Sequence, residues 1–387
     1  MNLKLIRIVD YYFGIPIIQL LRPIKLFRRS AEINENFHPK KILLIKFFGL
    51  GNLILSSPVL KKIKDKFPGA EMHYLTLSSN RGILECYKDY VKKPVYLDMK
   101  GINLPMETFK ILKMLRKEKY DQVIDLDQFS RYSAIISFLA NPKVSLGYKT
   151  KDAKRHYLYD KTAEYRGSKH VTEEFVDILK PFGIASREKI KLLPLKTGPQ
   201  EKRNVEKWLN ESRLANKKII GVHIGVGENA PQRKWPYFKE LVEEVLKKTG
   251  FYVVLTAGPK EYEDCESLIK SVGIDEKIKD SRIKITKGIK LAELPYLMEK
   301  LALFISNDTG PLHMAAAQGK AVIGLYGPNT PALYGPYTDK KIIFYKRLKC
   351  SPCITNFNNK ETICGNPVCV GEIRVSEVFE AIMRVAK

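Results

Sequence analysis

A hydrophobic strand, a polar turn and a helix of small residues follow one another in residues 304–317, Phe304-Ile305-Ser306-Asn307-Asp308-Thr309-Gly310-Pro311-Leu312-His313-Met314-Ala315-Ala316-Ala317. Pro311 suits the first turn of a helix, and Thr309 or Asp308 suits its cap. The backbone N–H groups of residues 309–312 are then unpaired and aimed outward, a natural phosphate site. Asp308 can accept hydrogen bonds from sugar hydroxyls. In isolation such a turn reads better as a plain helix cap, and His313 as a residue that packs or caps within its helix.

Three further turns change that weighing. Gly221-Val222-His223-Ile224-Gly225-Val226-Gly227 is a strand running into a glycine-rich turn, followed by Gln232-Arg233-Lys234-Trp235-Pro236. Two adjacent cations, Arg233 and Lys234, can neutralise a diphosphate. Thr256-Ala257-Gly258-Pro259-Lys260-Glu261 is the next strand-to-helix turn, with Glu261 able to bind a ribose diol, and Gly324-Leu325-Tyr326-Gly327-Pro328 is the last. All of them follow strand C-termini, which predicts convergence on one edge of a parallel sheet.

The elements that must position these turns alternate in two halves. Strand candidates at 41–47, 71–76, 94–98 and 122–126 are separated by helical patterns running to about residue 66, and at 104–119 and 131–139. A short strand around 189–195 leads into Lys196-Thr197-Gly198-Pro199-Gln200, a boundary signal. Alternation restarts with strands at 218–224, 252–256, 283–286, 303–306 and 321–325 and helices at 236–248, 260–271, 291–300 and 311–318. The pattern predicts an α/β protein of two Rossmann-like α/β/α domains facing across a cleft. The expected divisions are a basic amphipathic segment and linker at 1–39, one domain at 40–197 and a second at 198–387.

Here the sequence resembles glycosyltransferase family 9, the heptosyltransferase family of lipopolysaccharide core assembly, from about Lys41 to the end. The pieces that carry the resemblance are Arg233-Lys234-Trp235-Pro236, Ser306-Asn307-Asp308-Thr309-Gly310-Pro311-Leu312-His313 and Gly324-Leu325-Tyr326-Gly327. The resemblance implies a GT-B fold whose second domain binds a nucleotide sugar, typically ADP-heptose, and whose first domain binds the acceptor. It implies inverting, metal-independent transfer, without a cofactor, onto a lipid-linked saccharide at the inner face of the cytoplasmic membrane. It assigns Arg233 and Lys234 to phosphate, Glu261 to ribose and Asp308 to the donor. His223, Gly258, Thr309, Gly310 and His313 complete the expected donor site.

The first domain departs from the family pattern. Where the family has glycine, any residue, Gly-Asp, this chain has Gly49-Leu50-Gly51-Asn52. An amide takes no proton at neutral pH, so Asn52 is not the base, and three explanations compete: the base has moved, Asn52 with Gly49 and Gly51 only positions the acceptor and catalysis is slower, or sugar nucleotide is bound without turnover. Asp127, in Val123-Ile124-Asp125-Leu126-Asp127-Gln128, is the candidate base if its strand adjoins 41–47, although a capping role fits it as well. The alternative is a non-catalytic envelope-assembly protein that binds nucleotide sugar and has lost its base. An oxidoreductase of Rossmann type is disfavoured, because the glycine turn lacks the third glycine of the dinucleotide fingerprint.

Lys+Arg 67 against Asp+Glu 42 gives a net charge of +25 over 387 residues, a field that attracts anions. Without a recognition motif this charge does not make a nucleic-acid binder. Residues 11–21, Tyr-Tyr-Phe-Gly-Ile-Pro-Ile-Ile-Gln-Leu-Leu, are too short to span a bilayer. Flanked by Lys4, Arg7, Arg22, Lys25, Arg28 and Arg29, they suit an anionic membrane surface or packing on the protein's own core. No secretory signal pattern is evident, which points to a cytoplasmic protein peripheral on the inner membrane face. Cys86 and Cys265 read as buried thiols in helices. Cys350, Cys353, Cys364 and Cys369, spaced C-x2-C-x10-C-x4-C in a loop at 350–369, are expected chiefly as reduced thiols or an adventitious disulfide, with a structural metal the lesser alternative and a catalytic metal disfavoured.

Overall fold

The computed structural model describes residues 3–99, 103–184, 190–227, 230–358 and 362–386, with the side chains of 3–7 outside that description. The chain forms two compact units, Met1–Leu193 and Pro194–Lys387. The N-terminal segment is packed into the first unit as helices α1 (Leu3–Tyr12) and α2 (Gly14–Phe27). The Lys4 and Arg7 side chains lie outside the described residues.

The first unit holds a parallel six-stranded sheet. Its strands are β1 (Lys41–Ile45), β2 (Glu71–Leu77), β3 (Lys93–Leu97), β4 (Gln122–Asp125), β5 (Val144–Thr150) and β6 (Lys161–Tyr165), in the order β3-β2-β1-β4-β5-β6. β1 is apolar and nearly wholly buried because it is covered on both faces. It lies between β2 and β4, with Ile45 beside Leu75 and Asp125. Gly49, at φ +86°, then turns the chain into α3 (Leu50–Leu55), which puts Asn52 in that helix's first turn.

The second unit repeats the plan with β7 (Ile219–His223), β8 (Tyr252–Leu255), β9 (Ile283–Ile285), β10 (Leu303–Asn307), β11 (Ala321–Tyr326) and β12 (Lys341–Tyr345), in the order β12-β11-β10-β7-β8-β9. Its core gathers Val222, Ile305 and Leu325 from the sheet with Trp235, Leu241 and Ile382 from the covering segments. Both sheets reverse strand order beside their first strand, at β1/β4 and at β7/β10. Loops leaving the two strands at such a point go to opposite faces, which opens a crevice at the carboxyl ends.

The strand expected around 189–195 does not form. Residues 190–198 carry no regular structure, and Lys189 lies outside the described residues. Cys86 sits in a short 3-10 turn, Glu85–Tyr87, rather than in an α-helix.

Candidate functional site

In the second unit β11, β10, β7 and β8 are consecutive and parallel, so the turns that follow them leave from one edge. The β7/β10 reversal lies in the middle of that edge. Asn307, the last residue of β10, ties it together: its Oδ1 accepts the Trp235 N–H at 2.9 Å, and its Nδ2 donates to the Ile224 and Gly225 carbonyls, each at 3.4 Å. Trp235 is buried and donates Nε1–H to the Ile373 carbonyl at 2.9 Å, which fixes the strand-free segment that carries Arg233.

Arg233 and Asp308 come together. Arg233 Nη1 lies 3.2 Å from the Asp308 carbonyl and 3.4 Å from Oδ2, and Asn329 Nδ2 donates to the same Oδ2 at 2.7 Å. Arg233 Nε is buried and has no hydrogen-bond partner among the described residues. Lys234 points elsewhere, pairing with Asp264 at 2.9 Å on the surface. The two adjacent cations are therefore not a preassembled pair.

Thr309 holds the N-cap position of the helix Gly310–Ala317, but its side chain does not cap it; Thr309 Oγ1 bonds Ser306 Oγ at 2.7 Å instead. Among the described residues no side-chain cap bond is made to the amides at the start of that helix, which keeps its positive end available to an anion. His313 is buried within the same helix.

On the β8 side, Glu261 Oε2 accepts the Gly258 N–H at 2.7 Å, and its Oε1 lies 3.7 Å from His223 Nε2. His223 Nδ1 is 2.8 Å from the Thr256 carbonyl. Burial holds His223 below its ordinary pKa against the pull of Glu261 and the Thr256 carbonyl. A Cβ on Gly225 would sit 1.8 Å from Glu261 Oε1, so this glycine makes room for the carboxylate.

In the first unit β4 does adjoin β1, and Asp127 does reach the edge that carries Asn52. There it is 3% exposed and both oxygens are engaged: Oδ1 accepts from Lys46 Nζ at 2.5 Å and Oδ2 from the Phe47 N–H at 2.7 Å. Asp125 accepts from Arg155 Nη2 at 2.6 Å and from Tyr159 OH at 2.5 Å, while burial pushes its carboxyl above the ordinary range against the pull of Arg155. Arg155 also donates to the Asp127 carbonyl. This buried charge cluster fills the reversal point of the first sheet. Asn307, Asn329 and Lys46 were absent from the sequence-derived site. Asn329 follows the Gly327-Pro328 turn signal, and Lys46 interrupts the apolar residues 42–48.

The late cysteines are free thiols, and among the described residues no group of three or more His, Cys, Asp or Glu is arranged to hold a metal. Burial, then its cysteine neighbours, pushes the Cys369 thiol up to about 11. The segment lies near the same sheet edge: a Cβ on Gly327 would meet Cys369 Sγ at 2.7 Å, and the Cys364 carbonyl accepts from Gln232 at 3.2 Å.

Residues 108–363 match the model of glycosyltransferase family 9 (heptosyltransferase). Lipopolysaccharide heptosyltransferase 3 of Escherichia coli is 26% identical over 323 residues, covering 76% of this chain and 86% of its own. Lipopolysaccharide heptosyltransferase 1 of Campylobacter coli is 25% identical over 349 residues, covering 84% and 97%. Among solved structures, a family 9 glycosyl transferase from Veillonella parvula superposes with a TM-score of 0.74 at 21% identity, over 92% of this chain and 99% of that one. E. coli ADP-heptose LPS heptosyltransferase II gives 0.73 at 19%, over 89% and 98%. These two structures share the fold.

Proposed function

The chain belongs to glycosyltransferase family 9, and from that premise we propose that it transfers a sugar from a nucleoside-diphosphate donor to a lipid-linked saccharide at the inner face of the cytoplasmic membrane. Heptose from ADP-heptose and a lipopolysaccharide-core acceptor are the specific reading, supported by the names of the relatives. The observation that carries it is the edge of the second sheet, where Arg233, Asp308, the uncapped start of Gly310–Ala317 and Glu261 stand on the turns after consecutive strands.

The proposed division of labour follows from charge. As the glycosidic bond to the diphosphate breaks, negative charge grows on the departing oxygen; Arg233 and the amides of residues 309–312 stabilise it, and Lys234 adds to this by turning from Asp264. Asp308 holds Arg233 in place and accepts from the sugar, with Gly310 keeping the backbone close. Glu261, framed by Gly258 and His223, takes the ribose diol. Asn52, in the turn begun by Gly49 and Gly51, orients the acceptor hydroxyl. Asp127 is the proposed base, a role that requires one oxygen to turn from Lys46 or Phe47 toward the acceptor.

Calorimetric titration with ADP, UDP, GDP and CDP and the matching sugar nucleotides tests the donor reading. Selective ADP binding, tightened by the attached sugar, is the expected result; binding of another diphosphate changes the donor, and no binding sinks the proposal. The alternative, a nucleotide-sugar-binding assembly protein without turnover, is favoured by Asn52 together with the saturated Asp127. Transfer to any saccharide acceptor removes it.

A further inference from the structure

Helices α1 and α2 take no part in the transfer chemistry, yet they are firmly fastened. Asp10 accepts the Arg131 and Tyr132 N–H groups at 3.1 and 2.8 Å, closing the start of the helix Arg131–Leu139 from outside it. Gly14 lies so close that a Cβ there would meet Arg131 Cβ at 2.7 Å. Ile18 is fully buried among Ala134, Phe138, Leu158 and Tyr159.

The charges of α2 point the wrong way for a helix in water. Lys25 pairs with Asp160, Arg28 just past the helix end donates to the Phe138 and Pro142 carbonyls, and the Arg22 guanidinium lies 4.3 Å from the centre of the Tyr157 ring. All three cations gather toward the body of the unit. The outward arc is left to Phe13, Ile17, Leu20, Ile24 and Phe27, spaced i, i+4, i+7, i+11 and i+14 and so aligned in one stripe. Leu20 is 74% and Phe27 89% exposed. A surface helix ordinarily shows the opposite polarity.

We infer that the outward face of α2 is a docking surface for an anionic lipid bilayer, with the helix lying in the plane of the head groups and its stripe entering the acyl boundary. Charge selects this occupant. Asp10 is the only acidic residue among the first 31, and it is turned inward onto the helix Arg131–Leu139, so α1 and α2 themselves set no carboxylate beside the stripe. Arg29, exposed just past the helix end, is available to phosphate head groups. A second copy of the chain would bring the same cations against each other, in a protein of net charge +25. No helix among the described residues is long and apolar enough to cross a membrane, which agrees with docking in the plane.

Vesicle co-sedimentation of the full chain tests this without any sugar transfer, so it stands or falls separately from the donor reading. The chain is expected to partition onto phosphatidylglycerol vesicles more strongly than onto phosphatidylcholine vesicles, with added salt weakening the former. Leu20→Glu with Phe27→Glu should lower the partition coefficient roughly a hundredfold, about tenfold for each apolar side chain withdrawn from lipid. Both positions are exposed, so the melting temperature should hold; Leu20→Ser with Phe27→Ser, which adds no charge, should weaken binding in the same direction. Wild-type protein that stays in the supernatant with both vesicles overturns the inference. So does a variant that binds like wild type, or a wild-type dimer in sedimentation velocity that the same substitutions dissociate.

Discussion

Arg233 and Lys234 are neighbours in sequence with opposite surroundings, and that contrast is measurable. Arg233 is mostly buried against Asp308, whereas Lys234 is 45% exposed and paired with Asp264 on the surface. Arg233→Ala removes a charge-assisted hydrogen-bond donor, worth about 1.5–3 kcal/mol, and should weaken donor binding by tenfold or more with a smaller loss of stability, because Asp308 keeps its hydrogen bond from Asn329. Lys234→Ala should weaken it less, because an exposed ion pair contributes about 0–1 kcal/mol and Lys234 must first leave Asp264. Equal losses of affinity and stability in Arg233→Ala would make that residue structural. Gly225→Ala should act through Glu261: the added methyl displaces the carboxylate and weakens binding of nucleosides, while free pyrophosphate binding is retained. Calorimetry with the two ligands separates these effects.

Between elements, the polar clusters act as fasteners. Arg155 joins the end of β4 to the segment after β5, entirely out of water and in contact with Asp125. Removing one partner of such a pair strands the other charge, and Arg155→Met should cost about 3–5 kcal/mol in a urea melt. Gly147 in β5 is part of the same arrangement, since a Cβ there would collide with the Tyr159 ring that serves Asp125. Glu118 closes the helix Leu104–Glu118 onto the starts of β1 and β3 through Lys41 and Lys93, and those hydrogen bonds draw its carboxyl down to about 2. Because the folded-state pKa is depressed, this contribution is present above the unfolded value of about 4.3 and is lost as pH falls through it toward about 2. Wild type and Glu118→Gln should therefore differ at neutral pH by a few tenths to about 1 kcal/mol and converge in acid.

At the scale of the molecule, each unit has its own sheet and core, and the edge proposed to bind the donor is built from residues of the second unit. The segment 194–387 is expected to unfold cooperatively by itself and to bind nucleoside diphosphate with an affinity close to that of the full chain. A molten segment, or one that folds and does not bind, would show that the first unit completes the donor site. The strong positive charge is a property of both halves of the reading: it suits a diphosphate donor and an anionic surface, and it specifies neither.

What the sequence determined alone was the alternation of buried strands and helices, because both periods are written in side-chain polarity, and the convergence of the turns after β7, β8, β10 and β11, because parallel strands share a carboxyl edge. β5, β6 and β12 escaped it. β6 lies at a sheet edge, is largely exposed and carries no apolar run; β12, at the edge of the other sheet, has only the short run 342–345 after a string of charged and polar residues, and β5 is broken by the glycine that admits Tyr159. Only the tertiary structure decided which charges meet. By sequence Asp127 suits a base or a cap at a strand exit equally; in the fold Lys46 and the Phe47 amide close on it from β1's end, and Arg233 and Lys234 part toward Asp308 and Asp264. These partners are 75 to 81 and 30 residues apart in the chain. Local patterns fix elements, but ion pairs over such separations depend on strand order and on which groups water no longer reaches.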